Sequence, residues 1–517
     1  MDAGRAAATG PLHRAWTALE RALDPLFPGG GNPLAHLGAL ACLLFAMLIA
    51  SGVYLYVALD TSVAGAWRSI DALSRGQPLA GGLLRSLHRY CADAFVVVIV
   101  LHLAREWMLG NYTGIRRYTW LTGVPMLVLA YVSGIGGFWL NWDRLGQFSA
   151  LASAEMLDAL PLFASPLTRN FLDAAAIDDR LFSLLVFIHV GVPLLLLFGL
   201  WFHVQRLGRP RVWPPRLLAL GFTATLVLLA LASPVRSQAP ADLGAVPVAL
   251  AYDWILLHLH PVAYAAGAGM AWMLVGGGLI GLLLLPLRHA PGAPVAVVDA
   301  HNCNGCRRCV ADCPYEAITL APHPNGRTGR QIAVVDADRC ASCGICVGAC
   351  PSSTPFRGTR ELVTGIDMPQ WPVGALRRRL EQALARPGRG PRIVVYGCDH
   401  GADVAAVTRA DVAGFSLACT GMLPPSFIEY ALRAGAQGVV VATCREGACA
   451  YRLGDLWTAQ RLAREREPRL RSSVPAARLR LGRAGAGDEP ALLAAIDALA
   501  AGAGASPRRA AGAGAAP

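Results

Sequence analysis

The sequence contains no lysine, so all 46 basic residues are arginines, a bias that indicates a GC-rich genome rather than a function. Charged residues make up only 15% of the 517 residues, whereas 54% are hydrophobic. The net charge of +12 is not arranged as a basic stripe interleaved with aromatic residues, which argues against nucleic-acid binding. The chain also lacks a glycine fingerprint for dinucleotides and a serine or cysteine nucleophile constellation.

Long apolar runs are concentrated before about residue 290. Six of them are long enough to span a hydrocarbon core of about 30 Å. They cover residues 35–57, 88–109, 119–140, 182–204, 216–233 and 262–285. The first run starts too late and continues too far for a cleaved signal peptide. We therefore expect an integral membrane protein with six spans, followed by a soluble region.

The arginines predict the orientation of these spans. They cluster before span one, between spans two and three, and after span four, at Arg14, Arg21, Arg105, Arg116, Arg117, Arg206, Arg209 and Arg211. The loop from Asn141 to Arg180 is instead acidic. Because positively charged loops face the cytoplasm, we expect a multi-pass protein of the bacterial inner membrane with both termini and the soluble region in the cytoplasm.

Two pairs of histidines lie on two of the apolar runs with the same separation. His88 and His102 are 14 residues apart, and so are His189 and His203. On an α-helix this advance returns to nearly the same face and rises about 21 Å. Spans two and four run in the same direction, so His88 should face His189 and His102 should face His203. Facing imidazoles at two levels predict bis-histidine ligation of two stacked haems, whereas a lone histidine would more often be a satisfied core residue.

Four glycines repeat this separation. Gly38 and Gly52 in span one, and Gly123 and Gly137 in span three, are also 14 residues apart. A missing side chain at haem level would let a macrocycle press against the backbone. Close helix packing is the alternative, because glycine is common in membrane spans. The shared period favours the haem interpretation.

Four longer stretches surround these residues. They are Arg85-Ser-Leu-His88, His102-Leu-Ala-Arg105 followed by Gly110-Asn-Tyr112, Trp120-Leu-Thr-Gly123, and His189-Val-Gly-Val-Pro193. On the basis of these four stretches, the first 210 residues resemble the amino-terminal, four-helix half of cytochrome b from cytochrome bc complexes. The resemblance implies two b haems whose propionates bind Arg85 and Arg105; bilayer-interface charges are the alternative for both arginines. It also implies quinone or quinol as substrate, a place in a respiratory chain, and a homodimer through the bundle.

The chain departs from that family around both quinone pockets. The third helix ends Gly137-Phe-Trp-Leu-Asn-Trp142, with asparagine where the family has proline. The Pro-Glu-Trp-Tyr signature of the outer pocket is absent, and its nearest counterpart is Tyr252-Asp-Trp254. Gly208 stands at the position of the family's inner-quinone histidine. His258 and His260, at the outer mouth of the last span, are either proton-handling groups or interfacial residues.

The 14 cysteines divide into two groups along the chain. Cys42 and Cys91 lie in or beside spans and are interpreted as packing residues. The other 12 follow residue 300, in the part that we expect to be cytoplasmic. Because that compartment is reducing, these 12 favour metal ligation over a disulfide framework.

A short Pro/Gly linker from Pro286 to Pro294 leads to two cysteine runs of spacing Cys-x2-Cys-x2-Cys-x3-Cys-Pro. Each run puts three thiolates on one tight loop and leaves the fourth available to the partner cluster. One [4Fe–4S] cluster should therefore take Cys303, Cys306, Cys309 and Cys350. The other should take Cys340, Cys343, Cys346 and Cys313. The segment resembles bacterial two-cluster ferredoxins, and zinc is the alternative to the clusters.

From Pro391 to about Leu481 the pattern is that of an open α/β sheet. Short β-branched runs at 393–396 and 438–442 have the character of buried strands, and a helical stretch around Ser426 to Arg433 lies between them. These two runs end in loops that carry Cys398 and Cys444, and Cys419 ends a strand-like segment. Cysteines at the carboxyl ends of parallel strands fit ligands of a cofactor in such a sheet.

The same stretch resembles the iron–sulfur (delta) subunit of the methyl-viologen-reducing hydrogenases. The match depends on Cys419-Thr-Gly421, the Gly-Ala-Gln-Gly-Val run from Gly435, and Cys444-x4-Cys449-x-Tyr451-x-x-Gly454. The resemblance implies a [2Fe–2S] cluster held by Cys398, Cys419, Cys444 and Cys449, and a heterodisulfide-reductase-like flavoprotein or dehydrogenase subunit as partner. A zinc site or a redox-active thiol site is the alternative.

We therefore expect a membrane all-α part joined to a cytoplasmic α+β two-cluster ferredoxin domain and an α/β iron–sulfur domain. The membrane part would comprise a four-helix di-haem cytochrome b bundle plus two further transmembrane helices. The expected boundaries are 1–34 for an amphipathic N-terminal segment, 35–210 for the bundle, 211–290 for the two helices, 291–360 for the ferredoxin, 361–390 for a linker, 391–485 for the hydrogenase-delta-like domain, and 486–517 for a helix and a disordered Ala/Gly-rich tail.

In sequence, the expected centres form an electron-transfer chain of one [2Fe–2S] cluster, two [4Fe–4S] clusters and two b haems. Such a chain would be a subunit that carries electrons between a cytoplasmic flavin or iron–sulfur oxidoreductase and the quinone pool. The alternative is a non-catalytic membrane anchor and electron conduit whose partner subunits carry all substrate and quinone chemistry.

Overall fold

The chain divides into two units, each described separately below. The helical unit comprises residues 23–205 and 210–289, and the cysteine unit comprises residues 1–22, 206–209 and 290–517. The computed structural model describes residues 10–27, 30–162, 165–171, 177–245, 249–287, 294–326, 329–359, 361–385 and 393–504.

The helical unit consists of long apolar helices and shorter helices that connect them. Helix α1 (Pro11–Leu23) precedes them. In chain order they are α2 (Leu37–Ala58), α3 (Ala66–Gly76), α4 (Leu83–Met108), α5 (Arg117–Asn141), α6 (Arg144–Asp158), α7 (Asp179–Val204), α8 (Arg216–Ala232), α9 (Leu259–Ala266) and α10 (Ala268–Leu284). Helix α2 packs along α4, and α5 packs along α7. These two helix pairs build the expected four-helix bundle.

Five helical stretches among the described residues, rather than the predicted six, are long and apolar enough to cross a membrane: residues 33–58, 78–108, 114–141, 179–204 and 268–287. The predicted fifth span forms α8, which has 17 residues and therefore rises about 26 Å, less than the hydrocarbon core of about 30 Å. The predicted sixth span is broken at Gly267, whose φ of +88° separates α9 from α10. Five such helices make this a multi-pass membrane protein.

The first half of the cysteine unit holds the two cysteine runs. Helices α11 (Arg308–Asp312) and α12 (Ile345–Ala349) each contain the third cysteine of a run and end one residue before the fourth. Between the runs, β2 (Ile318–Pro322) and β3 (Gln331–Val335) form an antiparallel hairpin. Strand β1 (Val297–Val298), before the first run, pairs antiparallel with β4 (Ile366–Asp367), after the second run. Helix α13 (Val373–Leu384) follows.

The second half of the cysteine unit is a parallel sheet of order β6-β5-β7-β8. Its strands are β5 (Ile393–Cys398), β6 (Val412–Leu417), β7 (Gly438–Thr443) and β8 (Leu479–Arg483). Its helices are α14 (Val404–Val407), α15 (Ser426–Arg433), α16 (Gly454–Leu462) and α17 (Glu489–Gly504). Every residue of β5 and β7 is buried, as expected where helices cover both faces of a parallel sheet.

The predicted strands at 393–396 and 438–442 and the helix around 426–433 are confirmed. Cys398 ends β5, and Cys419 and Cys444 follow the ends of β6 and β7, so the three lie at the carboxyl edge of the sheet. Helix α17 extends to Gly504, within the segment 486–517 that is expected to hold a helix and a disordered tail. The rest of that tail lies outside the described residues.

Candidate redox-cofactor sites

The four histidines of the bundle lie at two levels, as their spacing predicts. The ring centroids of His88 on α4 and His189 on α7 are 6.5 Å apart, with an angle of 67° between the ring planes. Two imidazoles that each bond one metal ion at about 2 Å have their rings separated by a distance of this order. At the other level, His102 on α4 and His203 on α7 are close enough to interact electrostatically.

Hydrogen bonds fix the tautomer of the first histidine pair. The Ser51 hydroxyl lies 2.7 Å from the Met47 carbonyl, to which it donates, so it accepts from His88 Nδ1 at 2.9 Å. His189 Nδ1 donates to the Ser133 carbonyl at 3.0 Å. With the proton on Nδ1 in both rings, each Nε2 keeps the lone pair that a metal ligand needs.

The second pair is held differently. The Thr122 hydroxyl donates to the Tyr118 carbonyl at 3.0 Å and therefore accepts from His203 Nδ1 at 3.2 Å. His102 Nδ1 instead faces a carboxylate, since Glu106 Oε1 lies 3.9 Å away. Sequence reasoning missed Ser51 and Thr122, because nothing local connects either to a histidine on another helix. Glu106 follows His102 by one helical turn on α4, and this spacing is the signal that could have identified it.

Each glycine that shares the histidine period lies against one histidine ring. A Cβ atom built on Gly38, Gly52, Gly123 or Gly137 would lie 3.4, 3.1, 3.2 or 3.1 Å from Cε1 of His102, His88, His203 or His189, respectively. These separations are tight, so a side chain would displace the imidazole. The glycines thus make room for the histidines themselves, and the residues present fit the two expected haems.

Arg85 is buried near the end of α4 that carries His88. Its guanidinium donates to the Ser74 hydroxyl at 2.7 Å, to the Ser237 hydroxyl at 2.9 Å and to Asn141 Oδ1 at 3.1 Å. Asn141 is the residue that replaces the family's proline, and its amide oxygen is an acceptor that proline lacks. The departure from the family motif therefore supplies Arg85 with a partner.

Arg105 is also buried, at the end of α4 that carries His102. Its guanidinium lies 3.0 Å from Glu106 Oε1, and Arg116 and Asn111 donate to Glu106 Oε2 at 3.2 and 2.8 Å. Glu106 thus binds two arginines and an amide within electrostatic reach of His102. A propionate at Arg105 would add to this network, and that role remains a prediction.

The two histidines before the last span differ in environment. His258 packs edge-on against Tyr131, with ring centroids 5.6 Å apart. His260 is only 2% exposed, its Nε2 lies 3.0 Å from the Ser153 hydroxyl, and its Nδ1 has no partner among the described residues. Burial lowers the pKa of His260 from 6.5 to about 4. Phe148 packs edge-on against its ring at 6.2 Å.

Gly208, at the family's inner-quinone position, has no room for a side chain. Its amide donates to the Pro314 carbonyl at 2.9 Å, and a Cβ built on it would lie 3.0 Å from that carbonyl oxygen. A histidine could not stand here without moving the Cys313–Pro314 backbone.

The cysteines of the two runs come together in the crossed pattern that was predicted. Cys303, Cys306, Cys309 and Cys350 line one cavity; below they are called the first cluster set. Burial and then the neighbouring thiols raise the pKa of Cys309 to about 12. Cys306 is the exposed member of this set. The four thiols around one cavity fit a [4Fe–4S] cluster.

The second cluster set consists of Cys313, Cys340, Cys343 and Cys346. Cys346 interacts electrostatically with the other three, and burial raises its pKa well above the ordinary value. Cys343 is buried as well, and it interacts with Cys313 and Cys340. The fourth cysteine of each run therefore lies beside the other run, where the predicted exchange of ligands needs it.

Four buried cysteines form the third group, called the sheet-edge set: Cys398, Cys419, Cys444 and Cys449. Cys444 Sγ lies 3.4 Å from Cys398 Sγ. Hydrogen bonds from Cys419 and Cys444 hold the pKa of Cys398 well below its usual range. A Cβ on Gly454 would lie 2.1 Å from Cys419 Sγ, so Gly454 is required for this packing. No group of three or more His, Cys, Asp or Glu among the described residues is arranged for a single metal ion.

Comparison with known proteins matches three segments of the chain. Residues 28–209 match the family "Cytochrome b/b6/petB", residues 302–354 match the "4Fe-4S dicluster domain", and residues 393–502 match "Methyl-viologen-reducing hydrogenase, delta subunit". A solved structure, "Hyperthermophilic respiratory Complex III", is 20% identical over 48% of this chain and 74% of its own, with a TM-score of 0.40.

The three resemblances expected from the sequence are thereby confirmed. The first family implies haem b, and the second implies [4Fe–4S] clusters. Together the three segments support a membrane-bound electron-transfer subunit.

Proposed function

We propose that this protein carries electrons between a soluble flavin or iron–sulfur oxidoreductase and the quinone pool of a bacterial inner membrane, with its cysteine unit in the cytoplasm. The observation that carries the proposal is the pair of imidazole levels in the bundle. His88 and His189 face each other at one level, and their Nδ1 atoms are engaged by Ser51 and Ser133. Their Nε2 atoms are thus free for a haem iron.

The haems, when bound, supply one-electron transfer across the apolar core. The chain's own residues orient the imidazoles, keep Nδ1 protonated and leave glycine-sized space beside each ring. Arg85 and Arg105 are buried guanidiniums at the two ends of α4, and they would neutralise the propionates. Burial makes such charge pairing strong because little water screens it.

The cysteine sets would hold the other centres. We propose [4Fe–4S] clusters on the first and second cluster sets and a [2Fe–2S] cluster on the sheet-edge set. The hydrogenase-delta-like segment supports a heterodisulfide-reductase-like flavoprotein or a related dehydrogenase as the partner that delivers or receives electrons there.

A group of rings in the helical unit supports a quinol site near the His88 end. Phe148 on α6 packs against Tyr252, His260 and Tyr264, with ring centroids 5.9, 6.2 and 5.8 Å away. The buried His260 Nδ1 has no partner in the described part of the chain, so it could exchange a hydrogen bond with a quinol hydroxyl. Two aromatic walls and one imidazole suit a flat, apolar ring with polar ends.

The second candidate is a conduit whose partners perform all quinone chemistry. Gly208 favours it, because the backbone of Cys313 and Pro314 occupies the space that a side chain at this position would need. The two candidates differ in one measurable property, which is oxidation of the haems by quinone without any partner subunit.

The test uses the full chain in liposomes. We expect a reduced haem b absorption band that disappears when a short-chain ubiquinone analogue is added. His88→Leu should remove one haem, whereas the matched variant His36→Leu should keep both, since His36 binds the Gly30 carbonyl rather than facing another histidine. Haems that stay reduced after quinone addition would favour the conduit. Two haems retained in His88→Leu would overturn the haem assignment.

A further inference from the structure

The second cluster set and the sheet-edge set share one buried wall. Cys343 packs in the same apolar cluster as Cys398, Cys419, Cys444 and Cys449, together with Ile345, Leu453 and Trp457. Cys343 and Cys449 are near enough to interact electrostatically. The first cluster set contributes no member to this cluster among the described residues, and its Cys306 is exposed.

Three glycines allow the backbones that carry these two sets to touch. A Cβ on Gly348, in α12, would lie 2.1 Å from the Gly421 carbonyl oxygen. A Cβ on Gly421 would lie 2.9 Å from Ile345 Cγ1 and 3.1 Å from Gly454 Cα. Any side chain at these positions would push the loops apart. We call this contact, formed by Ile345, Gly348, Gly421 and Gly454, the glycine seam.

One buried arginine binds both sides of the glycine seam. Arg461 on α16 is 1% exposed. Its Nη1 donates to the Gly421 carbonyl at 2.7 Å, and its Nη2 donates to Asp312 Oδ2 at 2.5 Å and approaches the Ile345 carbonyl at 3.4 Å. Asp312 directly precedes Cys313 of the second cluster set. Arg461 therefore fixes the loops of two sets to one another.

Charged side chains lie beside the glycine seam. Asp312 is the partner of both Arg461 and Arg466, so one carboxylate faces two guanidiniums. Arg466 stacks on Trp457, 3.4 Å from the ring centroid, and the Trp457 indole donates to the Asp312 carbonyl at 3.1 Å. The buried guanidinium of Arg461, beside two centres, would stabilise their reduced, more negative forms.

We propose that the sheet-edge centre exchanges electrons directly with the cluster of the second set across the glycine seam, and that Arg461 is the positioning residue for this step. In the direction of quinone reduction, the partner's reduced flavin supplies one electron to the sheet-edge centre. That electron then reduces the second-set cluster and reoxidises the sheet-edge centre, with no bond formed or broken. The cluster of the first set takes no part in this direct contact. The inference rests on the proposed function, because it needs clusters in both sets.

The first experiment is electron paramagnetic resonance of the full chain during stepwise reduction. We expect the signal of the sheet-edge cluster to broaden or split when the second-set cluster is reduced, because two paramagnetic centres that share a wall interact magnetically. Cys343→Ser should remove this interaction. The matched variant Cys306→Ser, at the equivalent position of the other run, should preserve it. An interaction that disappears in Cys306→Ser and survives in Cys343→Ser would overturn the inference, and an absence of cluster signals would instead refute the proposed function.

The second experiment measures midpoint potentials in Arg461 variants. Arg461→Gln removes the buried charge, so we expect the potentials of the sheet-edge and second-set clusters to shift to lower values, with the haem potentials unchanged. Arg461→Lys should recover most of the shift because it restores the charge. A merely structural role would lower thermal stability in both variants without this recovery. Unchanged potentials in Arg461→Gln would overturn the role of Arg461; if that variant loses its clusters, the wild-type resonance experiment still decides the contact.

Discussion

Ser51 and His88 are 37 residues apart in sequence, and the Ser51 hydroxyl accepts a hydrogen bond from His88 Nδ1 at 2.9 Å. The serine is itself fixed, because it donates to the Met47 carbonyl one turn earlier on α2. A helix that carries no histidine thus sets the ring orientation and the tautomer of a histidine on α4. Thr122 does the same for His203 from α5.

Ser51→Ala should change the haem bound by His88 and His189 while leaving the other haem unaltered. The lost hydrogen bond is worth about 1 kcal/mol, and it makes the imidazole a weaker electron donor to ferric iron. We therefore expect the midpoint potential of one haem to rise in a redox titration followed by absorption. Thr122→Ala is the matched variant and should raise the potential of the other haem. A common shift of both haems in either variant would contradict this separation.

Gly52→Val should cost the protein one of its two haems. The Cβ alone would lie 3.1 Å from His88 Cε1, and the valine methyls must occupy the same space as the ring. Overpacking of this kind costs about 1–3 kcal/mol, and the imidazole can relieve it only by turning away from its partner. Haem content per chain, measured by pyridine haemochrome absorption, should fall by about half.

Gly221→Val provides the control for Gly52→Val, because nothing lies within 4 Å of a Cβ on this glycine of α8. It should retain both haems. If Gly52→Val also keeps both with an unchanged spectrum, then the glycine period reflects helix packing alone.

The sequence was sufficient to predict the site residues wherever a pattern of residues is repeated within a few helical turns or within one loop. The separation of His88 from His102 follows from the geometry of one helix, so the two levels could be predicted without knowing any contact. The cysteine runs are similarly local: α11 and α12 each end one residue before the fourth cysteine, which directs Cys313 and Cys350 away from their own runs.

The contacts that orient the site residues and set their electrostatic environment could not be predicted, because they join segments that are distant in sequence. Arg461 and Asp312 are 149 residues apart, and neither stands in a motif that marks it. Asn141 was identified only as a departure, and its role as an acceptor for Arg85 depends on where α4 and α5 meet. The broken sixth span also escaped prediction, since glycine at 267 is ordinary in an apolar run until its φ of +88° is known.

His260 should make the stability of the helical unit depend on pH. Its pKa is about 4 in the folded protein, below the ordinary value of 6.5, so the unfolded chain binds the proton first as the pH falls. The stabilisation is complete above about pH 6.5 and is lost between pH 6.5 and 4, to a total of about 3 kcal/mol. Thermal unfolding in detergent at pH 7.5 and 5.0 should show most of this loss in the wild type.

His260→Gln should reduce the difference in unfolding temperature between the two pH values. His258→Gln, two residues away and half-buried, should keep most of it. An equal pH dependence in wild type and His260→Gln would show that other groups carry the acid sensitivity.

Gly454→Ala should remove the cofactor of the sheet-edge set and spare the other two clusters. The new Cβ would lie 2.1 Å from Cys419 Sγ and 3.4 Å from Cys449 Sγ, and the backbone of α16 cannot retreat because Arg461, two turns later, is bound to Gly421 and Asp312. We expect the electron paramagnetic resonance signal of the sheet-edge cluster to be lost, with both [4Fe–4S] signals retained and iron content reduced accordingly.

Gly482→Ala on β8 is the control, because its Cβ would meet Val440 Cγ1 only at 4.0 Å. Retention of all three signals in Gly454→Ala would mean that the Cys419 thiolate is not a ligand of the sheet-edge cluster.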